Sequence, residues 1–430
     1  MQRNLNNRDF LFLWYSVATV ILRNFIFILL LLLPLGSSAG LFDNIPFQDL
    51  GLTEITKQSC EEALLKNTTE NVEAFFYRTT GQNLTDYEIV NPKTDTTSGD
   101  AVIILIHKSV ERWERYVLKT YDMPPFRGVS NLVFSHFLSS LKIEELDPVK
   151  IHGHTLVEKN GKFLWHFLLE HGGADLESQM ISLSQTKEGF EKLESVLKRT
   201  AIGLAKLHTQ TIEVNLTKSQ AHLRRKNFER EKELLDEMPE RIKTWSEELK
   251  LTQEEQDYLL QKFSAAYDSI DQALQEESVV NYYDPHIGNV VVHPITQAVK
   301  MIDLDSMIYN AEINCGNPEK FPEDCVVTGV GHWTIDMGRF YESINLVGVV
   351  NGLSATQIKT LRNHVLESYL TQKLKRAPTE VEMHDAVAAL TYIRLRIYNS
   401  PMIFGKYSKH LKEKTMPFFM NQIRDILNSI

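Results

Sequence analysis

A change in hydrophobic pattern at residues 171–173 constrains the fold of this chain more than any other feature. Before this point, short runs rich in Val, Ile, Leu and Tyr alternate with turn-prone segments, which is typical of β-strands. After it, apolar residues recur mostly at helical spacing. The strand candidates are Tyr87–Val90, Ala101–His107, Arg115–Tyr121, 150–157 and 163–169. The pattern predicts an α+β, bilobal protein with a small N-terminal sheet lobe, a larger helical C-terminal lobe and a hinge near residues 169–175.

Apolar residues at helical spacing predict helices in both lobes. One helix, at residues 128–141, is inserted in the five-stranded sheet of the first lobe. The second lobe has amphipathic stretches, the second of them interrupted by Pro239, at residues 187–209, 219–249, 252–276, 354–375, 379–399 and 416–430. A β-rich island interrupts them, with β-prone runs at residues 279–283, 289–293 and 299–302. The sequence therefore predicts an isolated β-hairpin inside the helical lobe.

The overall charge excludes one class of function. The 430 residues include 46 Lys and Arg against 56 Asp and Glu, a formal net charge of -10. A protein that binds phosphate backbones needs a basic face. The basic cluster 224–226 is followed by acids at 229, 231 and 233, so we interpret it as a solvated helix face. Nucleic acid is not expected as a partner.

Residues 10–35 form an apolar leader that follows Arg3 and Arg8. Two alternatives stay open for it. A signal peptide would be cleaved after Ala39, at the end of a small-residue pattern. An uncleaved anchor would span the membrane once, at a cost of about 2.5–3.5 kcal/mol for Arg23 inside the bilayer. Both place the rest of the chain in the secretory lumen or outside the cell, with membrane contact through the N-terminal segment alone.

Sequons and cysteines fit such a compartment. Asn67, Asn83 and Asn215 begin N-x-[ST] triplets, the acceptor pattern for N-glycosylation. The three cysteines are Cys60, Cys315 and Cys325. Two interpretations are open: a short-loop disulfide between Cys315 and Cys325, or three buried thiols.

Three oxygen-bearing side chains of the β-rich island suggest chemistry. Asp284 and Asn289 are five residues apart, the spacing of a kinase catalytic loop, in which the Asp accepts a hydroxyl proton and the Asn holds a metal ion. Asp303 lies on the next predicted strand, where a carboxylate can bind Mg²⁺. The alternative interpretation is structural, because Asp and Asn are also good turn formers.

The order of several motifs points to a family. Residues 282–289 match the motif His-Gly-Asp-x-His-x-x-Asn at Asp284, His286 and Asn289, and Ile302 with Asp303 matches an Ile-Asp strand motif. Further similar segments precede them in the expected order, at 116–119, 169–176 and 204–208. The chain resembles the aminoglycoside phosphotransferase and choline kinase-like superfamily, as a divergent secretory member. The resemblance implies the bilobal protein-kinase-like fold.

The resemblance also implies roles for particular residues and for the cofactors ATP and Mg²⁺. Asp284 becomes the catalytic base, and Asn289 and Asp303 become the metal ligands. The nucleotide contacts are assigned to Lys119 at the phosphates, to the hinge with Glu170 at the adenine, and to Thr97 and Ser98 in the loop 93–99. The implied parts are a leader 1–39, a helical extension 40–85, a nucleotide-binding lobe 86–170 and a catalytic lobe 171–430.

The sequence departs from the family pattern at three positions. Tyr282 and Tyr283 replace the usual His-Gly, and Asn131 stands where a Glu normally pairs with the strand lysine. The expected function is an ATP- and Mg²⁺-dependent phosphotransferase that acts on a hydroxyl of a small molecule or glycan in the secretory pathway. The alternative is a pseudokinase that serves as a nucleotide- or partner-binding module; a third possibility is a protein kinase of secreted substrates.

The expected acceptor region is residues 331–407, whose acidic side chains suit a cationic acceptor or belong to the surface. They are Asp336, Glu342, Glu382 and Asp385. For Asp336 we expect that it anchors the loop.

Overall fold

The computed structural model describes residues 56, 68–69, 71–90, 101–109, 115–121, 126–159, 162–273, 278–293 and 295–429. All of them belong to one unit of the chain, Asn44–Ile430. The leader, Asn67, Cys60 and the loop 93–99 lie outside the described residues, so the predictions made for them stay predictions.

A six-stranded sheet forms the N-terminal lobe, in the order β1-β6-β7-β4-β3-β2. The strands up to the hinge are β1 Thr68–Thr69, β2 Tyr87–Val90, β3 Ala101–His107, β4 Arg115–Tyr121, β5 Asp147–Pro148, β6 Ile151–Lys159, β7 Lys162–Glu170 and β8 Ala174–Asp175. The five predicted strands are confirmed. The sixth, β1, was missed because two residues carry no alternation; it pairs with β6 in parallel, whereas the other pairs are antiparallel.

The core of this lobe is aromatic and aliphatic. Helix α1, Val72–Thr80, packs Phe75 and Phe76 against the sheet, with Tyr87, Leu118 and neighbouring side chains. The inserted helix α2, Phe126–Leu141, is confirmed, and its buried side chains include Val129 and Phe134. Burial of such side chains contributes roughly 1.5–3 kcal/mol each. These side chains give the lobe a packed hydrophobic core.

Helices build the C-terminal lobe. They are α3 Leu176–Ser184, α4 Lys187–Gln210, α5 Lys218–Asp236, α6 Met238–Glu248, α7 Gln253–Ala273, α8 Trp333–Val350, α9 Ala355–Leu374, α10 Glu380–Ala389, α11 Thr391–Asn399, α12 Pro401–Leu411 and α13 Thr415–Asn428. The interruption at Pro239 is confirmed, because Pro239 lies in the first turn of α6, where its missing N–H costs nothing. The sequence patterns missed α8, since nearly all of its side chains from Thr334 to Gly348 are buried and no polar face exists to mark a period.

The β-rich island differs from its prediction. Residues 279–283 are not a strand: Ser278 and Val279 make isolated bridges to Glu213 and Gly331. The hairpin β9 Val290–Val292 and β10 Val299–Met301 is present but not isolated. It is flanked by β5 and β8 in a four-stranded sheet of order β5-β10-β9-β8. The prediction failed because two-residue strands are specified by their partners and not by their own sequence. This small sheet joins the segment before β6 to the C-terminal lobe.

A second hairpin carries the disulfide. Strands β11 Ala311–Cys315 and β12 Cys325–Gly329 pair in antiparallel register, with Cys315 opposite Cys325. The two cysteines are bonded, which confirms the first of the two interpretations above. Asn83 and Asn215 are exposed, so both are accessible for glycosylation. Across the described ranges, none of the helices has the length and apolar character to cross a bilayer.

Glu342 forms a buried ionic centre in α8. Its carboxylate accepts hydrogen bonds from Arg394 Nε at 2.8 Å, from Arg362 Nη2 at 3.0 Å and from the Tyr398 hydroxyl. Burial alone raises the pKa of the Glu342 carboxyl, but the two guanidinium groups outweigh it and bring the pKa to about 2. The Glu342 carboxylate therefore links α8 to α9 and α11, and it is not exposed to an acceptor.

We expect Glu342→Gln to lower the free energy of unfolding by about 3–5 kcal/mol, because two buried guanidinium groups lose their countercharge. The folded pKa lies below the ordinary value of 4.5, so the stabilisation is present above about pH 4.5 and is lost as the pH falls toward 2. Urea unfolding of wild type and variant between pH 7 and pH 3 tests this. The exposed Glu367→Gln on α9 is the control, expected within about 0.5 kcal/mol of wild type. A difference that does not shrink at low pH would contradict the assignment.

Candidate active site

An ion pair joins the two lobes at the candidate active site. Lys119 lies on β4, in the middle of the sheet, and its side chain is buried. Its Nζ donates to Asp303 Oδ1 at 2.6 Å. Asp303 follows β10 in the left-handed region, with φ of 61°, a conformation that Asp tolerates better than most residues. The Asp303 side chain stays 44% exposed, so the pair lies at a surface that a ligand can reach.

The segment 281–289 brings the other predicted residues to the same place. Asn289 Nδ2 donates to the main-chain oxygen of Asp284 at 3.0 Å. The main-chain oxygen of Asn289 accepts from Ile302 N at 3.1 Å, directly before Asp303. Lys119, Asp303, Asn289 and Asp284 are therefore linked by successive contacts at one end of the β9–β10 hairpin.

The Asp284 carboxylate is partly open and faces two basic groups. Arg339 Nη1 lies 3.4 Å from Asp284 Oδ1, and His286 Nε2 lies 3.8 Å from Oδ2. The Asp284 side chain is 40% exposed. His286 also braces the loop, because its Nδ1 accepts from Gly288 N at 3.1 Å. The carboxylate is thus positioned by its neighbours and still accessible.

Asp336 holds the backbone of this loop. Its two carboxylate oxygens accept from Tyr282 N and Tyr283 N, both at 2.7 Å. His208 at the end of α4 lies 2.9 Å from the carboxylate through Nε2, and 2.8 Å from the Tyr369 hydroxyl through Nδ1. All of these groups are buried, where hydrogen bonds to a carboxylate are strongest. The expectation that Asp336 anchors the loop is confirmed.

The two tyrosines before Asp284 pack inside the lobe. Tyr282 is fully buried, and Tyr283 is 7% exposed. Tyr283 has φ of 75°, a left-handed conformation in the position where the family motif has Gly. Its ring lies under the Arg339 guanidinium at 4.1 Å and beside the Tyr309 ring at 5.1 Å. These contacts oppose the backbone strain, which costs on the order of 1–3 kcal/mol. The added bulk therefore goes into the core.

The C-terminal lobe supplies the negative charge for Lys119 that the neutral side chain of Asn131 cannot provide. Asn131 lies buried on α2, and the acid that neutralises Lys119 is Asp303. Glu145, an acid that follows α2, is bound to Lys206 Nζ at 2.6 Å. Lys119 therefore keeps a carboxylate partner without a glutamate on the inserted helix.

Glu170 ends β7 at the hinge, and its carboxylate is engaged in structure. It accepts from Lys300 Nζ at 2.9 Å and from Lys150 N at 3.1 Å, and Lys300 also binds Asp147. Burial raises the pKa of the Glu170 carboxyl, but these hydrogen bonds outweigh it and hold the pKa below its usual value. A nucleotide contact at the hinge stays a prediction, as do those of Thr97 and Ser98, which lie outside the described residues.

The oxygen donors present suit Mg²⁺. Within the described ranges, no cluster of three or more His, Cys, Asp or Glu side chains surrounds a metal position. Mg²⁺ in phosphotransfer sites commonly takes one or two protein oxygens and completes its shell with waters and nucleotide phosphates. The Asp303 carboxylate and the Asn289 amide are such a pair, and their hard oxygens fit the ion.

Two residues of the site escaped the sequence reasoning. Arg339 contacts Asp284, and His208 supports Asp336. Both are buried polar side chains, a rare condition for these residue types. An arginine in α8, three residues after Asp336, was the available signal.

Comparisons with known proteins give structures but no sequence relatives: no family model and no curated protein matches. Spectinomycin phosphotransferase APH(9)-Ia, with ADP and spectinomycin, is 10% identical over 83% of this chain and 96% of its own, with a TM-score of 0.38. APH(2'')-IIa with streptomycin and ATP is 12% identical over 83% and 97%, with a TM-score of 0.35. An aminoglycoside phosphotransferase from Alicyclobacillus acidocaldarius is 10% identical over 81% and 96%, at 0.38.

The chain has a bilobal, protein-kinase-like fold. Its own topology carries this assignment: an antiparallel sheet with a buried lysine on a central strand, an inserted helix, a hinge after β7, and a helical lobe with a loop ending in Asn289. The predicted fold class is confirmed on these grounds.

We expect Asp336→Asn to destabilise the loop. In the wild type, two main-chain N–H groups donate to the Asp336 carboxylate. In the variant, the NH₂ group of the side-chain amide would face one of these donors, which would lose its acceptor. The free energy of unfolding should fall by about 1–3 kcal/mol, the cost of a buried donor left unsatisfied. Chemical denaturation measures the change, and exposed Asp385→Asn is the matched control. Equal stability of the two variants would show that Asp336 does not hold the loop.

Proposed function

We propose that this protein is an ATP- and Mg²⁺-dependent phosphotransferase that acts on a hydroxyl group of a small molecule or glycan. One observation supports the proposal most directly. The buried cation of Lys119, the Asp303 carboxylate, the Asn289 amide and the Asp284 loop come together by successive contacts at the junction of the two lobes. Phosphoryl transfer needs this combination of fixed positive charge, metal ligands and a positioned base.

Each residue then has a distinct task. Lys119 neutralises phosphate charge, and its pairing with Asp303 keeps its ammonium group in place. Asn289 and Asp303 hold Mg²⁺, which when bound neutralises charge on the nucleotide phosphates. Asp284 accepts the proton of the acceptor hydroxyl through a carboxylate that is partly open to the cleft. Arg339 orients that carboxylate from the α8 side.

The second candidate is a pseudokinase, a binding module without turnover. Arg339 Nη1 at 3.4 Å from Asp284 Oδ1 favours it, because a carboxylate oxygen engaged by a guanidinium group is less available to an acceptor hydroxyl. The burial of both tyrosines favours the enzyme instead, since neither side chain fills the cleft. The two functions differ in one measurable respect, the release of γ-phosphate.

Nucleotide binding and turnover are tested separately on the purified full-length chain. We expect Mg·ATP to raise the melting temperature of the wild type and of Asp385→Asn, and we expect Asp303→Ala to abolish the shift. Asp284→Asn should keep the shift and lose about 10²- to 10⁴-fold in kcat, the usual contribution of a general base. Binding without turnover in the wild type would establish the pseudokinase. No binding of Mg·ATP would reject the enzyme and a nucleotide-binding pseudokinase, and it would leave the partner-binding module.

We also propose that the chain acts in the secretory lumen or outside the cell. The apolar leader and the exposed Asn83 and Asn215 support this location. Expression of the full chain in eukaryotic cells should give a product whose apparent mass falls after endoglycosidase treatment, and Asn83→Gln with Asn215→Gln should reduce the shift. N-terminal sequencing then separates a leader cleaved after Ala39 from a retained anchor. A product with no glycan and an intact N-terminus in the cytosol would contradict the proposal.

A further inference from the structure

A basic patch lies on α12 and on the turn that follows this helix. The stretch 401–418 contains four lysines and a single acid, Glu413. All five of these residues are exposed. The lysines, which we call the α12 patch, are Lys406, Lys409, Lys412 and Lys414. The patch is a local excess of positive charge in a chain whose formal net charge is -10.

Three lysines of the patch are available to a ligand. Across the described ranges, the ammonium groups of Lys409, Lys412 and Lys414 make no ion pair and no hydrogen bond. The Glu413 carboxylate, which lies between two of them in sequence, has no such contact either. Exposed charges act on ions in solution over about 8–10 Å at moderate salt. The α12 patch therefore suits a negatively charged ligand.

The patch begins beside the catalytic loop. Lys406 Nζ lies 3.0 Å from Glu177 Oε1 on α3. The other oxygen, Glu177 Oε2, is 2.7 Å from the point that a Cβ on Gly288 would occupy, and His286 Cε1 is 2.8 Å from the same point. His286 Nε2 in turn lies 3.8 Å from Asp284 Oδ2. Contacts of short range thus connect the first lysine of the patch with the proposed base.

This connection lies at the surface. The side chains of Asp284, His286, Glu177 and Lys406 are all partly exposed. Lys409 follows Lys406 by three residues of α12, a spacing that makes them neighbours on one side of the helix. A ligand that presents a group to Asp284 can therefore continue along the protein surface to the α12 patch.

Acidic side chains that would suit a cationic acceptor are already engaged. Asp336 anchors the loop, and Glu342 is enclosed by two arginines. Glu382 binds Arg376 and caps the start of α10. Of the four acids considered from sequence, only Asp385 is left exposed without an arginine or lysine ion pair among those resolved in the described residues. The charges near the site therefore favour an anionic ligand over a cationic one.

The apolar side chains of the stretch 401–418 do not form a face for a membrane. Phe404 stacks on Trp245 and meets Phe419 edge to face, and Phe418 also packs against Phe419. Met402, at 62% exposure, is the one large hydrophobic side chain of this stretch that is widely exposed. A helix that binds a bilayer inserts a broad apolar face. The stretch therefore fits an anion dissolved in water better than a lipid surface.

The extent of the patch distinguishes a chain from a small anion. A single carboxylate or sulfate pairs with cations about 3 Å from its oxygens. The part of α12 from Lys406 to its last residue, Leu411, already spans about 7.5 Å along the axis, and two more lysines follow it. Repeated negative groups on one extended molecule can pair with all of these lysines, whereas one small anion cannot.

We propose that the α12 patch binds an acidic polysaccharide, a sugar chain with repeated carboxylate or sulfate groups, and that a hydroxyl of this chain is the phosphoryl acceptor at Asp284. The acceptor role rests on the proposed function, whereas the binding role does not. A sugar chain carries hydroxyl groups on every unit, so one molecule can pair its acids with the lysines and present a hydroxyl to the base.

The transfer step is that of a phosphotransferase with an alcohol acceptor. The acceptor oxygen forms a bond to the γ-phosphorus of ATP while the bond from that phosphorus to the bridging oxygen breaks. ADP leaves, and the hydroxyl proton passes to the Asp284 carboxylate. The lysines of the α12 patch take no part in these bonds; they hold the chain that carries the hydroxyl.

Binding is tested first, without nucleotide, on the purified full-length chain. Columns of immobilised chondroitin sulfate and of polygalacturonate offer sulfate with carboxylate and carboxylate alone, and a dextran column is the uncharged counterpart. We expect retention on at least one acidic column, elution by salt, since exposed charges are screened, and no retention on dextran. Absence of retention on both acidic columns at low salt would overturn the proposal.

Substitutions then locate the binding surface. The combined variant Lys409→Gln, Lys412→Gln and Lys414→Gln should weaken binding about tenfold, because exposed ion pairs are individually weak and three are lost together. The single variant Glu413→Gln should strengthen binding, because it removes the one acid of the stretch. A gain of this kind cannot come from misfolding. Unchanged binding in both variants would show that the α12 patch is not the surface.

A control separates the patch from the net charge. The combined variant Lys187→Gln, Lys192→Gln and Lys359→Gln removes the same charge from exposed positions on α4 and α9. We expect it to bind the acidic columns as the wild type does. An equal loss in the two combined variants would overturn the assignment to α12.

Two other occupants would give different results. Retention on immobilised poly-glutamate with none on the acidic polysaccharides would identify an acidic polypeptide as the partner. A combined α12 variant that floats less well with phosphatidylglycerol vesicles, but is retained on the columns like the wild type, would identify a membrane. Either result would overturn the proposal.

Turnover tests the acceptor role with saturating Mg·ATP. We expect the polysaccharide that binds to stimulate ADP release and dextran not to, and we expect the combined α12 variant to raise the KM for that polysaccharide about tenfold, in line with its weaker binding. Binding without ADP release from any acceptor would reject the proposed function and leave the binding surface. ADP release with dextran by a chain that binds neither acidic polysaccharide would reject the surface and leave the proposed function.

Discussion

The buried carboxylate of Asp336 is the interaction on which the rest of the site depends. It accepts two main-chain N–H groups from consecutive residues, Tyr282 and Tyr283, and thereby sets the path of the chain into Asp284. His208 and Tyr369 continue the network to α4 and α9. A loop held through its backbone tolerates unusual side chains. This explains how bulky tyrosines can stand where the family motif has His-Gly without moving the proposed base.

The pairing of Lys119 with Asp303 shows a second solution to a common constraint. A buried lysine needs a countercharge, and in the related motif pattern the inserted helix supplies it. Here the helix has Asn131, and the carboxylate comes from the opposite lobe. The same carboxylate is the proposed metal ligand. Under the proposed function, nucleotide phosphates and Mg²⁺ bind where Lys119 and Asp303 meet.

Net charge is a poor guide to the charge of a site. The chain has a formal charge of -10, yet Arg224 on α5 is partly buried and donates from its Nη1 to the Ser278 hydroxyl. The acids near α8 and α10 are bound by arginines or by main-chain N–H groups, and so they are unavailable to a ligand. On α5, Arg224 and Asn227 lie on the less exposed face, and the exposed Arg225 and Glu229 lie on another.

The sequence by itself determined the two lobes, five strands of the sheet, the inserted helix and the break at Pro239, because local periodicity is a property of short segments. Motif spacing is also a property of short segments, and it identified the candidate residues Lys119, Asp284, Asn289 and Asp303. Only the tertiary structure decided that β5 joins the hairpin, that Arg339 contacts Asp284 and that Arg224 lines a cavity. The helix α8 had no readable period since it is buried on all sides. These features depend on partners far away in the chain, and a partner that is distant in sequence leaves no local pattern.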